Sequence, residues 1–311
     1  MAVICFFVIG ILIGCLDYQF RFSSATRFGL GCYILMAIGL QGGVALMQTT
    51  DITQAIAAIG VALVIVIIMP LYIYPITKKM FGKITGGAVA ASYACYSPTT
   101  YAVALHFLQE HHVEAKGYMA AAMALGEPLG IAVILMILGK KIIKSDHENL
   151  PTFLMPFTIG PCLLLILSLV VGLVIGNNPM TVKSVEPFYK SLFMGGLCVF
   201  VLAEGLEVST KIKGLFKKGI GLFIFAILIP IIGAAIGLLV SYWMHLPTST
   251  AFLLTILCAS ANYTTVPATF TIKLPEADIG IYESMPLCLT FTFNVVIGMG
   301  VYWYLIHLWN L

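Results

Sequence analysis

The sequence predicts an all-α polytopic membrane protein. It is read as ten transmembrane helices arranged as two inverted five-helix repeats. Three observations predict this fold. First, only 9% of the 311 residues are charged, while 60% are hydrophobic and the mean hydropathy is +1.04; an ordinary soluble domain carries roughly 25% charged residues. Second, the chain divides into ten long apolar runs, each near the length of about 20 residues that a spanning helix needs. Third, Lys and Arg segregate 13 to 3 between alternate connections. The composition excludes a soluble enzyme, a disordered regulator and, with a net charge of only +3 and no basic cluster, a nucleic-acid binder. Long continuous runs also argue against a β-barrel, whose strands are short and alternate in polarity.

The runs occupy residues 2–17, 28–48, 53–76, 85–108, 116–139, 154–176, 186–206, 219–244, 248–272 and 280–308. The first is short, but it has no basic leader or clear cleavage site and is read as a span rather than a signal peptide. The second holds Gly39-Leu40-Gln41-Gly42-Gly43. Its small residues suit close helix packing, and Gln41 is an alternative candidate for a polar pathway. The fourth contains Cys95-Tyr96-Ser97-Pro98-Thr99-Thr100, and the fifth contains Met123-Ala124-Leu125-Gly126-Glu127-Pro128-Leu129-Gly130. At the end of the seventh stand Glu204 and, just beyond it, Glu207, three apart on one helix face and expected to pair with Lys211 at the interface. The ninth contains Ala259-Ser260-Ala261-Asn262-Tyr263-Thr264-Thr265-Val266-Pro267, and the tenth contains Asn294. All eight cysteines lie in apolar stretches without Cys-x-x-Cys spacing and are read as packing residues; no transition-metal site is expected.

Alternate connections hold Arg21 and Arg27; Lys78, Lys79 and Lys83; Lys140, Lys141 and Lys144; Lys211, Lys213, Lys217 and Lys218; and Lys273. The other side holds Lys116, Lys183 and Lys190. The richer side is expected to be cytoplasmic, with both termini outside. The longest polar connection, 140–153, separates five runs from five, so the repeats are placed at 1–145 and 146–311. An odd number of spans per half inverts one half relative to the other. The halves also echo each other: Glu127 follows Tyr96 by 31 residues, and Asn294 follows Tyr263 by 31.

Proline removes an N–H from a helix interior and frees a carbonyl a turn earlier. The fourth run therefore contains either a proline kink stabilised by its hydroxyls or a discontinuous helix. Matching breaks in the two halves point to a midplane binding site. A half-helix N-terminus would offer N–H groups and the positive end of a dipole to a small anion. Neither break contains Arg or Lys, which suits a weakly charged anion carried with a cation better than a phosphate compound. Glu127 is the stranded intramembrane acid. It is read as an oxygen ligand for Na⁺, as a proton carrier, or as a protonated cap at Pro128. Asn294 is its neutral counterpart, a cation ligand or an interhelical hydrogen-bond partner.

These stretches resemble the sodium-dependent bicarbonate transporter family, known from cyanobacteria. Ile38 to Leu46 is similar to its Gly-Leu-x-Gly-Gly motif. Tyr93 to Thr100 with Leu108-Gln109-Glu110, and Tyr118 to Glu127, resemble its fourth and fifth spans. Ala259 to Ala268 with Leu274-Pro275-Glu276-Ala277 is the closest stretch, and Thr290 to Asn294 with Ile297-Gly298 resembles the last span. Tyr263 stands where the cyanobacterial form has an aspartate. The resemblance implies a gate domain (helices 1, 2, 6 and 7), a core domain (helices 3–5 and 8–10), crossing discontinuous helices four and nine, a homotrimer and a bacterial inner-membrane location. It also implies a PII-like regulator at the cytoplasmic face.

The substrate-binding candidates are Ser97, Thr99, Thr100, Asn262, Tyr263, Thr264 and Thr265. The cation-binding candidates are Glu127, Thr99, Asn262 and Asn294. The expected function is Na⁺-coupled uptake of bicarbonate or a similar small monovalent anion, with no cofactor beyond the coupling ion and no enzymatic chemistry. The alternatives are a proton-coupled carrier of a small carboxylate and a non-transporting membrane sensor on a transporter fold.

Overall fold

The computed structural model describes residues 2–16, 19–139 and 151–309. Among them the regular structure is all helical, with no strand. Lys140, Lys141 and Lys144, and with them most of the 140–153 connection and the boundary between the two halves, lie outside the described residues.

The helices are α1 (Ala2–Leu16), α2 (Ser24–Met47), α3 (Ile52–Phe81), α4 (Lys83–Ala94), α5 (Pro98–Glu110), α6 (Tyr118–Leu138), α7 (Gly160–Ile175), α8 (Pro179–Tyr189), α9 (Ser191–Phe216), α10 (Ile220–Trp243), α11 (Thr248–Ala259), α12 (Thr265–Lys273), α13 (Ile279–Tyr282) and α14 (Met299–Leu308). Two π-helical turns, Pro286–Phe291 and Asn294–Gly298, lead into α14. Among the described residues, six segments are long and apolar enough to cross a membrane: Ser24–Met47, Ile52–Phe81, Tyr118–Leu138, Pro179–Phe216, Ile220–Trp243 and Ile279–Leu308. Ala2–Leu16, Gly160–Ile175 and Thr248–Ala259 are shorter apolar helices.

The ten apolar runs fall on these helices, with one difference. The seventh run begins inside α8, which is a helix of its own. Asn178 accepts hydrogen bonds from Met180 N (3.1 Å) and Thr181 N (3.2 Å), so the helix starts there, and it ends before Lys190. Only Tyr189 of α8 is buried. An Asn-Pro start and an internal Pro187 make a short surface helix, which apolar run length does not reveal.

Two kinds of packing organise the molecule. In one group, α1 lies on α9 and α2 on α7. In the other, α3 packs on α4 and α6, and α10 packs on α11. The glycines of α2 serve as packing residues: a β-carbon on Gly43 would overlap the Leu169 carbonyl oxygen, and one on Gly39 would stand 2.6 Å from Leu165 O. Gly205 of α9 meets the Phe7 carbonyl of α1 in the same manner. Membrane helices lack a hydrophobic force between them, so such close backbone approach supplies the dispersion energy that holds them together. Gly43→Val is expected to lower stability by about 1–3 kcal/mol, read as a fall in melting temperature of the detergent-purified protein.

Five of the cysteines are buried, Cys32 is partly buried, and Cys5 and Cys15 are exposed on α1. The packing reading therefore describes the buried five.

Candidate functional site

Both hydroxyl-rich runs are breaks rather than kinks. α4 ends at Ala94, and Cys95 and Ser97 are extended. Pro98 then opens α5 in the first turn, where its missing N–H has no intrahelical partner to lose. Ser97 Oγ caps α5 by accepting from Thr100 N at 3.3 Å. The second break runs from Ser260 to Thr264, between α11 and α12.

The two breaks meet. Ser97 N donates to Ser260 Oγ (3.1 Å), and Asn262 N donates to Ser92 O (2.7 Å). Asn262 is the hub. Its Nδ2 donates to Tyr96 O (3.0 Å) and to Glu127 Oε1 (2.7 Å). Its Oδ1 accepts from Thr264 N (3.1 Å), Thr265 N (2.9 Å) and Val266 N (3.3 Å). One fully buried side chain thus joins both breaks to α6 and caps α12. At α12 this corrects the expectation of free half-helix N–H groups, because Asn262 binds them; at α5 the Thr100 N–H is bound by Ser97. What the junction presents outward is chiefly hydroxyl groups.

Glu127 is 0% exposed. Oε1 is held by Asn262, whereas Oε2 is buried with no hydrogen-bond partner. The Thr265 side chain adjoins the same carboxyl group. The neighbouring glycines make this approach possible. A β-carbon on Gly126 would stand 2.7 Å from the Tyr96 ring, and one on Gly130 would stand 2.8 Å from Cys95 Sγ and 3.0 Å from Ala94 O. Gly126-Glu127-Pro128-Leu129-Gly130 therefore seats the first break on α6 while aiming an acid at the second.

The structure does not gather every candidate residue into one shell. Thr99, Tyr263, Thr264 and Thr265 line a cavity of about 420 Å³. The Thr100 and Tyr263 hydroxyls are buried without hydrogen-bond partners. Ser97 and Asn262 are engaged in holding the breaks. Asn294 stands apart from the Asn262–Glu127 pair in its bonding: its Nδ2 donates to Ala259 O (2.7 Å), and its Oδ1 accepts from Tyr302 OH (3.3 Å). It closes the C-terminal end of α11, the interhelical alternative read for it above.

The opposite wall of the cavity adds residues that sequence reasoning left out of the site. Arg27 of α2 and Glu204 of α9 line it, with Glu283 following α13. Arg27 Nη2 pairs with Glu207 Oε1 (3.3 Å), Lys211 pairs with Glu207 Oε2 (3.2 Å) and Glu283 (2.6 Å), and Lys218 pairs with Asp278 (2.5 Å). The expected pairing with Lys211 holds for Glu207, four residues away, but not for Glu204, which lies a turn deeper. The signal for Glu204 was available: like Glu127, it is an acid inside an apolar run. Arg27 carried no such signal beyond its part in the charge asymmetry.

No curated protein matches the chain. A family model for the Na⁺-dependent bicarbonate transporter superfamily matches residues 2–307. Its extent takes in both breaks, the glycine-flanked acid and the cavity, and the chain belongs to this superfamily.

Proposed function

We propose that this protein is a secondary transporter that carries bicarbonate, or a similarly small monovalent anion, into the cell together with Na⁺. The observation that carries the reading is the position of Thr265. It lines the cavity on one side and adjoins the Glu127 carboxyl group on the other. An anion among the hydroxyls of Thr99, Tyr263, Thr264 and Thr265 and a cation at Glu127 would share this residue. Burying either charge alone is costly, and each lowers the cost of the other. The unpartnered Oε2 of Glu127 suits a hard cation, which prefers oxygen ligands. Asn262 and Ser97 act as positioning residues, and Asn294 braces the second break.

The fold belongs to the same proposal: ten spans in two inverted repeats, the fourth being α4 with α5 and the ninth α11 with α12. The helix pairing supports it. Exchange of the first span with the sixth and the second with the seventh turns the α1–α9 pair into the α7–α2 pair, and both occur. The α3–α4 and α10–α11 pairs are related likewise. α1, α2, α7 and α9 form the gate; the broken helices and their neighbours form the moving core, with the gate carrying the homotrimer contact. Arg27, Lys211 and Lys218 join one end of the molecule through their ion pairs, and Thr85 Oγ1 accepts from Asp278 N (3.1 Å) at that end too. The charge asymmetry makes this end cytoplasmic, so the cavity at Arg27 and Glu283 faces inward.

Labelled-bicarbonate uptake into proteoliposomes tests the reading. An inward Na⁺ gradient is expected to drive accumulation, and equal uptake without the gradient refutes Na⁺ coupling. The same unpartnered Oε2 favours one second reading, a proton on Glu127; opposing Na⁺ and pH gradients separate the two. Thr265→Val keeps the side-chain shape and removes the hydroxyl. It is expected to raise the Na⁺ concentration needed for half-maximal uptake by roughly tenfold, the equivalent of about 1.4 kcal/mol.

A further inference from the structure

The mouth of the cavity holds an acid that the transport site does not use. Glu204 is 4% exposed and lines the cavity wall formed by α9. Among the described residues it forms no ion pair. The charged groups that face it are Arg27 from α2, Glu207 and Lys211 from its own helix, and Glu283 beyond α13. Both bases pair with other acids: Arg27 through Nη2 with Glu207, its Nε having no partner, and Lys211 with Glu207 and Glu283. Three carboxyl groups against two bases leave one charge without a partner, and Glu204 is the acid left over.

The second observation lies across the cavity. The Tyr263 hydroxyl is buried without a hydrogen-bond partner, in a side chain 4% exposed that lines the same space. Tyr263 lies within electrostatic range of Glu204 and beside Thr99. Glu204, Tyr263 and Thr99 line this one cavity together with Arg27, and their oxygens are the kind of ligand hard cations prefer.

We propose that Glu204 and the Tyr263 hydroxyl form a second site, distinct from Glu127, for one small monovalent cation, Na⁺ or a proton. This rests on the reading of the cavity as the inner end of an ion path, and it adds a release device to it. With the cation present, the wall facing the anion is neutral. When the cation leaves toward the cytoplasm, the bare Glu204 carboxylate faces the anion across a low-dielectric cavity and drives it out.

The test is equilibrium binding of radiolabelled Na⁺ to the purified chain in detergent, without bicarbonate, beside a proton titration of the same samples. Wild type is expected to show two saturable Na⁺ components. Glu127→Gln retains the component that Glu204→Gln loses, and Tyr263→Phe weakens that component about tenfold. If the site takes a proton instead, Na⁺ binding is the same in wild type and Glu204→Gln, and the titration of Glu204→Gln lacks one titrating group. Unchanged Na⁺ binding together with an unchanged titration overturns the proposal. Tyr263→Phe, which removes one oxygen, decides the matter if Glu204→Gln does not fold. Because binding is read without bicarbonate, a failure of bicarbonate transport itself is seen separately, in the uptake assay.

Discussion

Replacing Glu127 is expected to abolish Na⁺-driven uptake. Glu127→Ala removes the buried carboxyl group that faces both Asn262 and Thr265. Glu127→Gln is the sharper variant. Its amide oxygen still accepts from Asn262 Nδ2, so the link between α6 and the second break survives while the charge is lost. Losing a charged ligand is expected to cost about 3 kcal/mol, a roughly 100-fold fall in apparent Na⁺ affinity. The melting temperature of Glu127→Gln should stay near that of wild type, since its packing is kept. Labelled-bicarbonate uptake under a Na⁺ gradient, with both variants matched for reconstituted protein, checks this. Normal uptake by either variant removes Glu127 from the coupling role.

The second large effect is expected at Asn262, and here structure and transport fail together. Asn262→Leu is close in volume but loses every bond that the side chain makes. It strands the Tyr96 carbonyl, Glu127 Oε1 and the first N–H groups of α12. Each buried polar group left without a partner costs about 1–3 kcal/mol, so a fall in melting temperature of many degrees is expected, with no uptake. Asn262→Asp separates the two roles. Its oxygens still cap α12, so most of the fold should persist. A second carboxyl group beside Glu127 would, however, force the pair to share a proton. Uptake by Asn262→Asp is therefore expected to be low at neutral pH and to recover partly as the pH falls. A variant as stable and as active as wild type at neutral pH would show that Asn262 is not the hub described here.

Much of the fold was legible because the lipid bilayer imposes simple rules. Apolar run length marked the helices, and Pro98 with its hydroxyl neighbours marked the first break, because an apolar run rarely spends polar groups without use. Gly39 to Gly43 was readable as a packing stripe for the same reason. The face each helix turns inward was less legible. In a soluble helix one side is polar and the other apolar, but both sides of a membrane helix are apolar. Glu204 thus looked like a helix end and proved to line the cavity, and the end of α8 was merged with the start of an apolar run.

By itself the sequence determined the membrane class, the helical content, the places where the two proline-bearing runs are interrupted and the prominence of Glu127, since these follow from hydropathy, proline chemistry and the cost of a buried acid; that the interruptions are full breaks was decided by the structure. Only the tertiary structure decided that Asn262 and Glu127, 135 residues apart, share a hydrogen bond, and that the N–H groups of α12 are bound rather than open. It also decided that Arg27 and Glu204 face the hydroxyls of the breaks. The physical reason is that hydropathy and proline act locally along the chain, while the partner of a buried polar group is chosen by the packing of distant helices.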